Sequence, residues 1–276
     1  MKLANIDMPE VSFDFLSVAK EAVSSSLDAL HTRGWGNADV ISAMGRDLKT
    51  EADLESNRVI RAVIERTQLP ILSEEEPRVG FNMPCNNLLW IVDPLDGTVN
   101  FERGFPHAGV SLGLWKGVKP VLGVVGDLCS GKIYSGQAAS TREDLTANEN
   151  RVSLVESAEQ GILATGFPTG RDFSNQALQK SVEFWRCFKK VRMIGSAALS
   201  LARVSDGTFD AYCEEGIWWW DVAGAIPLVL SAGGRVWMTP PDKDLKTVVF
   251  ASNGRILPPP ELQKNYENLE EHQNTG

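Results

Sequence analysis

Residues Trp90–Phe101 read WIVDPLDGTVNF, and the rest of the chain can be organised around them. An apolar run from Leu88 to Val92 stops at Asp93-Pro94-Leu95-Asp96-Gly97-Thr98. A short apolar run bounded by proline and glycine predicts a buried strand that opens into a tight turn. Two carboxylates, a glycine and a hydroxyl then sit at the carboxyl end of that strand, held rigidly by whatever is packed behind them. Hard divalent cations such as Mg²⁺ are bound by one or two carboxylates together with the oxygens of a phosphate substrate. A surface loop has no need of so stiff a frame around two acids, so the turn is read as a metal site for phosphate chemistry.

Three further segments end in acids: Ile71-Leu72-Ser73-Glu74, Ile217-Trp218-Trp219-Trp220-Asp221, and the helix entry at Asp53. Taken singly each has a bland reading. Asp221, just before Val222-Ala223-Gly224-Ala225, suits a helix N-cap. Glu74–Glu76 suits a solvated loop, and Asp53 an exposed helix face.

Helical spacing of Val11, Phe15, Val18, Ala22 and Leu30 predicts an amphipathic helix over Pro9–Leu30, followed by a polar loop, His31–Arg46. A second helix is expected over Glu51–Gln68 and a short strand at Pro70–Leu72. Strands are expected at Leu88–Val92, Ala108–Trp115, Val118–Asp127 and Lys132–Gly136, with glycines marking hairpins. The polar segment Ala138–Asn150 is the expected boundary between a lobe at 1–142 and a lobe at 143–276. The second lobe should hold helices at Asn175–Phe188, Ala197–Val204 and Val222–Ala232. Its expected strands are Ile162–Ala164, Phe209–Cys213, Arg235–Trp237 and Val248–Ala251.

The 276 residues are 43% hydrophobic with a formal net charge of -9, a balance opposed to unspecific binding of nucleic acid, which relies on Lys and Arg. Cys85, Cys129, Cys187 and Cys213 are scattered and point to neither a disulfide framework nor a zinc site. The N-terminal MKLANIDMPEVSFDF has no apolar core of signal-peptide length, and nowhere do 18 apolar residues run together. A cytoplasmic protein without a membrane partner is expected. The histidines His31, His107 and His272 form no triad with Ser or Cys. Trp218–Trp220 reads as a strand end packed into the core, with an aromatic wall beside a substrate as the alternative. Lys189, Lys190 and Arg192 read as a solvated helix end, with attraction of a second phosphate as the alternative, and Gly166-Phe167-Pro168-Thr169-Gly170 as a plain turn, with a phosphate cradle as the alternative.

With those residues in view, Asp93–Phe101 resembles the first signature of the inositol monophosphatase family. Trp220-Asp221-Val222-Ala223-Gly224-Ala225, followed by Ala232-Gly233-Gly234, resembles the second. Glu74-Glu75 is similar to the family's Gly-Glu-Glu element, and Asp47-Leu48-Lys49-Thr50-Glu51-Ala52-Asp53 to its Asp-Leu-Val-Thr-x-x-Asp element. The resemblance runs in order from about residue 11 to 255. It implies an α/β fold layered α-β-α-β-α, two or three Mg²⁺ ions, sensitivity to Li⁺, and a homodimer. By position it implies that Glu74, Asp93 and the Leu95 carbonyl hold one ion and that Asp93, Asp96 and Asp221 hold another. Thr98 and Asp53, with Glu74, would activate water, and the amides of Gly97 and Thr98 would bind phosphate. Ser196, Ala197, Glu214 and Asp221 would contact substrate. One departure stands out: where the family often carries a lysine upstream of the Asp-Leu-Val-Thr element, Ser42 falls nearby, and Lys49 interrupts the element itself.

The expected function is Mg²⁺-dependent hydrolysis of a small phosphate monoester, inositol monophosphate or a related polyol or sugar phosphate. Other chemistries of the same family are 3′(2′),5′-bisphosphate nucleotidase, fructose-1,6-bisphosphatase and histidinol-phosphate phosphatase. Asn100-Phe101 after Thr98 is closer to the monophosphatases than to the nucleotidases, which tend to carry Lys-Glu-Phe. A member that works instead through protein or RNA contacts is the alternative from another class.

Overall fold

The computed structural model describes residues 14–37, 39–44, 47–76, 87–138, 151–167, 172–258 and 267–268. The expected start of the first helix at Pro9, Cys85, His272, Pro168–Gly170 and the lobe boundary near residue 142 lie outside them.

Helix α1 (Phe15–Arg33) starts where the Asp14 carboxylate accepts from the Ser17 amide, and it buries Val18, Ala22, Val23, Leu27 and Leu30 at helical spacing. The segment expected to be a polar loop instead forms a hairpin, β1 (Val40–Met44) with β2 (Asp47–Thr50). Val40 and Ile41 are about half exposed, so no buried face marked the hairpin in the sequence. Helix α2 (Glu51–Ile64) follows and closes in a 3₁₀ turn, Glu65–Thr67. Next come β3 (Ile71–Ser73), β4 (Leu88–Asp96), the short α3 (Thr98–Glu102), β5 (Gly109–Lys116), β6 (Lys119–Asp127) and β7 (Ile133–Gln137). These strands form a five-stranded sheet ordered β3-β4-β5-β6-β7, antiparallel except for β3 against β4.

Beyond it lie β8 (Ile162–Ala164), α4 (Asn175–Trp185), β9 (Lys190–Arg192), α5 (Ala197–Ser205), β10 (Ala211–Trp218), α6 (Trp219–Ala223), α7 (Ile226–Ser231), β11 (Arg235–Met238), β12 (Lys246–Ser252) and β13 (Glu267–Asn268). Their six-stranded sheet is ordered β13-β11-β12-β10-β8-β9. Two expectations are corrected here. The basic cluster belongs to edge strand β9 rather than to a helix end. The helix expected over Val222–Ala232 is two helices, parted at Gly224-Ala225, with Pro227 in the first turn of the second.

The layers run α1/α2, first sheet, α5/α6/α7, second sheet, α4. The outer helices cover Trp90, Val92, Val110 and Leu112. The middle helices share a core with Ile91, Trp115 and Val125 of the first sheet and with Tyr212, Val236 and Val249 of the second. Phe184 and Trp185 of α4 cover Phe250 and Trp237 on the far face. This is the expected α-β-α-β-α architecture. Among the described residues no helix is long and apolar enough to cross a membrane.

A row of glycines governs the middle layer. Gly113, Gly123 and Gly136 lie abreast on β5, β6 and β7. A methyl on Gly113 would stand 2.5 Å from the Ala223 carbonyl oxygen, and one on Gly123 only 2.0 Å from that of Gly224. The backbone of α6 and α7 therefore rests directly on the sheet, and the Trp115 indole donates to the Ala223 carbonyl at 3.0 Å.

Candidate active site

The residues at the end of β4 do not leave the sheet at Val92, as the turn reading expected. Pairing with β5 continues from Asp93↔Ser111 to Asp96↔Gly109 across a bulge, which lets both aspartates stay on the strand end. The bulge is pinned on two sides. The Leu95 amide donates to Asp93 Oδ1 at 3.0 Å, and the Ser56 hydroxyl of α2 donates to the Pro94 carbonyl at 2.6 Å. Gly97 then takes φ 90°, ψ 37°, a left-handed conformation natural to glycine, and α3 begins at Thr98.

One cleft of about 340 Å³ is lined by Glu74, Asp93, Leu95, Asp96, Gly97, Thr98, Ser196, Ala197, Glu214 and Asp221. All but one of the sequence-predicted site residues thus meet there, although they come from β3–β4, α3, α5 and β10–α6. The exception, Asp53, is buried behind the wall and reaches it through Thr98, whose hydroxyl donates to Asp53 Oδ1 at 2.9 Å. The other oxygen of Asp53 accepts the Thr50 amide at 2.7 Å and the Thr50 hydroxyl at 2.5 Å, a capping box that fixes the carboxylate at the start of α2.

The electrostatics are those of crowded, buried acids. Burial pushes Asp53 up to about 6, against its Thr50 and Thr98 hydrogen bonds. Asp96 is likewise pushed up to about 6 by burial, opposed by the bonds it accepts from Ser196, Ala198 and Ala197. Asp93 is raised well above the usual carboxylate range by burial and by Glu74, Asp96 and Asp221, and it hydrogen-bonds Glu74. Asp221 is raised by burial and by Glu74, Asp96 and Glu214. Like charges at such separations cannot all ionise without a compensating cation, and no Lys, Arg or His is among the described residues lining the cleft.

Clustered oxygen donors fit hard divalent ions. In the present arrangement no three acids among the described residues already close on a common ion position. Asp93 is bonded to Glu74, Asp221 Oδ2 accepts the Trp218 amide at 3.2 Å, and Asp96 is turned onto α5. That last contact is extensive: Asp96 accepts the Ser196 hydroxyl and the Ala198 amide, each at 2.6 Å, and the Ala197 amide at 3.3 Å.

The neighbouring acids are differently used. Glu75 pairs with Lys49 and Glu76 with Arg61, so of the three glutamates only Glu74 lines the cleft. Glu214 is buried and accepts from the Tyr212 hydroxyl at 2.7 Å. Trp219 and Trp220 are core residues, as expected. Trp218 instead lines the cleft, stacked on Trp220 at 5.0 Å and 12°. Gly166 and Phe167, read as a plain turn, also line it. Sequence reasoning missed Leu48, Asn100 and Thr165 on the walls and Tyr212 behind them. Leu48 and Asn100, inside quoted family elements, carried a signal that could have found them.

Known proteins share the sequence family and the fold. The model of the inositol monophosphatase family matches residues 7–274. An inositol-1-monophosphatase of Synechocystis sp. is 34% identical over 249 residues, covering 88% of this chain and 85% of that protein. A protein of Pseudomonas aeruginosa named Nus factor SuhB is 32% identical over 231 residues, covering 80% of this chain and 84% of that protein. The solved structure of an inositol monophosphatase from Anabaena (Nostoc) sp. superposes with a TM-score of 0.72 at 31% identity, over 87% of this chain and 91% of that one. With its signatures, its layered fold and its acid-lined cleft, the chain belongs to the inositol monophosphatase family.

Proposed function

We propose that this phosphoric monoester hydrolase acts on a small cyclic polyol phosphate, inositol monophosphate first, with two Mg²⁺ ions held by Glu74, Asp93, the Leu95 carbonyl, Asp96 and Asp221. One observation carries the reading: four carboxylates, the Thr98–Asp53 hydrogen bond and Glu214 meet at a single cleft. Phosphate monoester hydrolysis needs up to ~10²¹-fold acceleration, about 28 kcal/mol. Bound cations supply charge neutralisation and a water acidified from about 15.7 toward ~7.

The chain's own groups do the rest. The Thr98 hydroxyl lies 2.9 Å from Asp53 Oδ1 and 3.0 Å from the Leu95 carbonyl, and its single proton serves one acceptor at a time. With the Leu95 carbonyl engaged elsewhere, that proton goes to Asp53, and a lone pair of the Thr98 oxygen accepts a proton from water. Asp53, pushed up to about 6, is matched to take a proton near neutral pH. The Gly97 and Thr98 amides, at the start of α3, hold phosphate oxygens, and Ser196, Ala197, Glu214 and Asp221 receive the hydroxyls of the leaving group. The Tyr212 hydrogen bond fixes the orientation of the Glu214 carboxylate at the cleft. A cytoplasmic homodimer inhibited by Li⁺ completes the proposal.

Phosphate release from inositol 1-phosphate, glycerol 2-phosphate, 3′-phosphoadenosine 5′-phosphate and fructose 1,6-bisphosphate, with and without Mg²⁺, tests it. The highest kcat/KM should belong to inositol 1-phosphate and vanish with EDTA; full activity in Asp93→Asn would refute the two-ion site. Relatives named Nus factor SuhB support a second reading, regulation through protein or RNA contacts. It gains ground if none of the four esters is hydrolysed.

A further inference from the structure

Both carboxylate oxygens of Asp96, at the end of β4, are held by α5, so its placement is only as good as that of the first turn of α5. The segment leading into that turn, Met193-Ile194-Gly195, follows the exposed edge strand β9 and contains no regular structure of its own. What fixes it is Asn100. The Asn100 side-chain amide donates to the Ile194 carbonyl and the His107 carbonyl, each at 2.8 Å, with the Gly195 carbonyl at 3.3 Å. One NH₂ group thereby ties α3 to both the approach to β5 and the entry to α5. The contact has no slack, because a methyl on Gly97 would stand 3.1 Å from the Gly195 oxygen and 3.0 Å from that of His107. Gly195 runs directly into Ser196, whose hydroxyl caps α5 through the Leu199 amide at 3.2 Å while donating to Asp96.

We propose that Asn100 is a positioning residue for the cation site: it sets α5 against the end of β4 and so fixes the Asp96 carboxylate that completes that site. The inference rests on the metal assignment made above. Carbonyl oxygens that lose their donor here drift apart, and Asp96 follows the α5 amides away from Asp93. Removing a residue that orients a ligand typically weakens metal affinity by about 10- to 100-fold.

The test compares Asn100→Ala with Asn253→Ala in the full chain. Asn253 is an equally embedded clamp, donating to the Ser153 hydroxyl and the Val155 carbonyl and accepting from the Arg255 and Ile256 amides, with no bond to the cleft. Mg²⁺ is titrated against tryptophan fluorescence and melting temperature without substrate, and against phosphate release with it. Asn100→Ala should raise the Mg²⁺ midpoint about tenfold or more in all three. Asn253→Ala should lower the melting temperature and leave the midpoint within twofold. An unchanged midpoint in Asn100→Ala, or an equal rise in both variants, overturns the proposal. A wild-type chain that neither responds to Mg²⁺ nor releases phosphate overturns the metal assignment itself, and this inference with it.

Discussion

Gly123→Ala tests whether the glycine row sets the geometry of the site. A methyl there would stand 2.0 Å from the Gly224 carbonyl oxygen, 2.8 Å from its carbon and 3.1 Å from the Pro227 ring, where ordinary contact begins near 3.4 Å. Restoring contact with backbone on both sides requires the α6–α7 joint to lift by about 1.4 Å, read directly from those separations. Asp221 lies three residues before Gly224 on the same short helix, so its carboxylate moves by roughly 1 Å relative to Asp93, which stays with the sheet. A misplacement of about 1 Å can cost about 10²-fold in rate. Overpacking costs about 1–3 kcal/mol, a fall in melting temperature of roughly 2–12 °C for a chain of this size. Calorimetry of the purified variant and kcat/KM on inositol 1-phosphate at saturating Mg²⁺ read both effects. Gly131→Ala is the control: its φ is +69° but nothing lies within 4 Å, so it should lose about 1 kcal/mol and keep kcat/KM within twofold. If Gly123→Ala retains kcat/KM within threefold of the wild type, contact between sheet and helix does not place Asp221 and the reasoning fails.

Asp53→Asn should lower kcat by about 10²–10⁴ with little change in KM. In the wild type the acid limb of the kcat profile should lie near pH 6, since the carboxylate that accepts the Thr98 proton is lost as pH falls through about 6; a limb below about pH 5 contradicts that role. Metal-stripped protein should melt lower at about pH 7.5 than at about pH 5.5. Asp93, Asp96 and Asp221 are all raised, so the folded state keeps protons that the unfolded chain releases near 3.8, and that stabilisation disappears as pH rises through about 6 and above. Millimolar Mg²⁺ should restore the melting temperature at the higher pH, and a metal-free protein that stabilises with rising pH argues against the shared carboxylate cluster. Tyr212→Phe removes the 2.7 Å bond to Glu214 and should raise KM for inositol 1-phosphate about two- to tenfold while sparing p-nitrophenyl phosphate; equal losses on both substrates would place Glu214 outside leaving-group recognition.

What could be read in the sequence follows burial. The run Leu88–Val92 is apolar because both faces of β4 are covered, and α2 shows its period because only Ala52, Asp53, Ser56, Ile60 and Ile64 turn inward. Strand β9 escaped because Lys190 and Arg192 are exposed at a sheet edge, where no alternation is imposed. The hairpin β1–β2 escaped for the same reason. Gly113, Gly123 and Gly136 carried no signal of their own inside the expected strands, since their alignment exists only once three strands are paired in register. Asn100 stands inside the first signature, but its clamping role had no local signal because its partners, Ile194 and Gly195, are 94 and 95 residues away.

Contacts at helix starts mount the acids of the cleft, although Asp53 is buried rather than on an exposed helix face and Asp221 stands in the first turn of α6 rather than at its N-cap. Asp53 closes the capping box of α2 with Thr50 and with its other oxygen takes the Thr98 hydroxyl. Asp221 stands in the first turn of α6, accepting the Trp218 amide through Oδ2, and lines the cleft. Asp96 accepts the opening amides of α5 from another strand altogether. In each case backbone amides at a helix start, which favour negative charge, partly offset what it costs to bury a carboxylate and fix where the carboxylate points. A capping residue is therefore a rigid mount for a second task. Gathering such mounts from separate segments into one cleft leaves a crowd of like charges that the amides alone do not neutralise, which is the condition a divalent cation relieves.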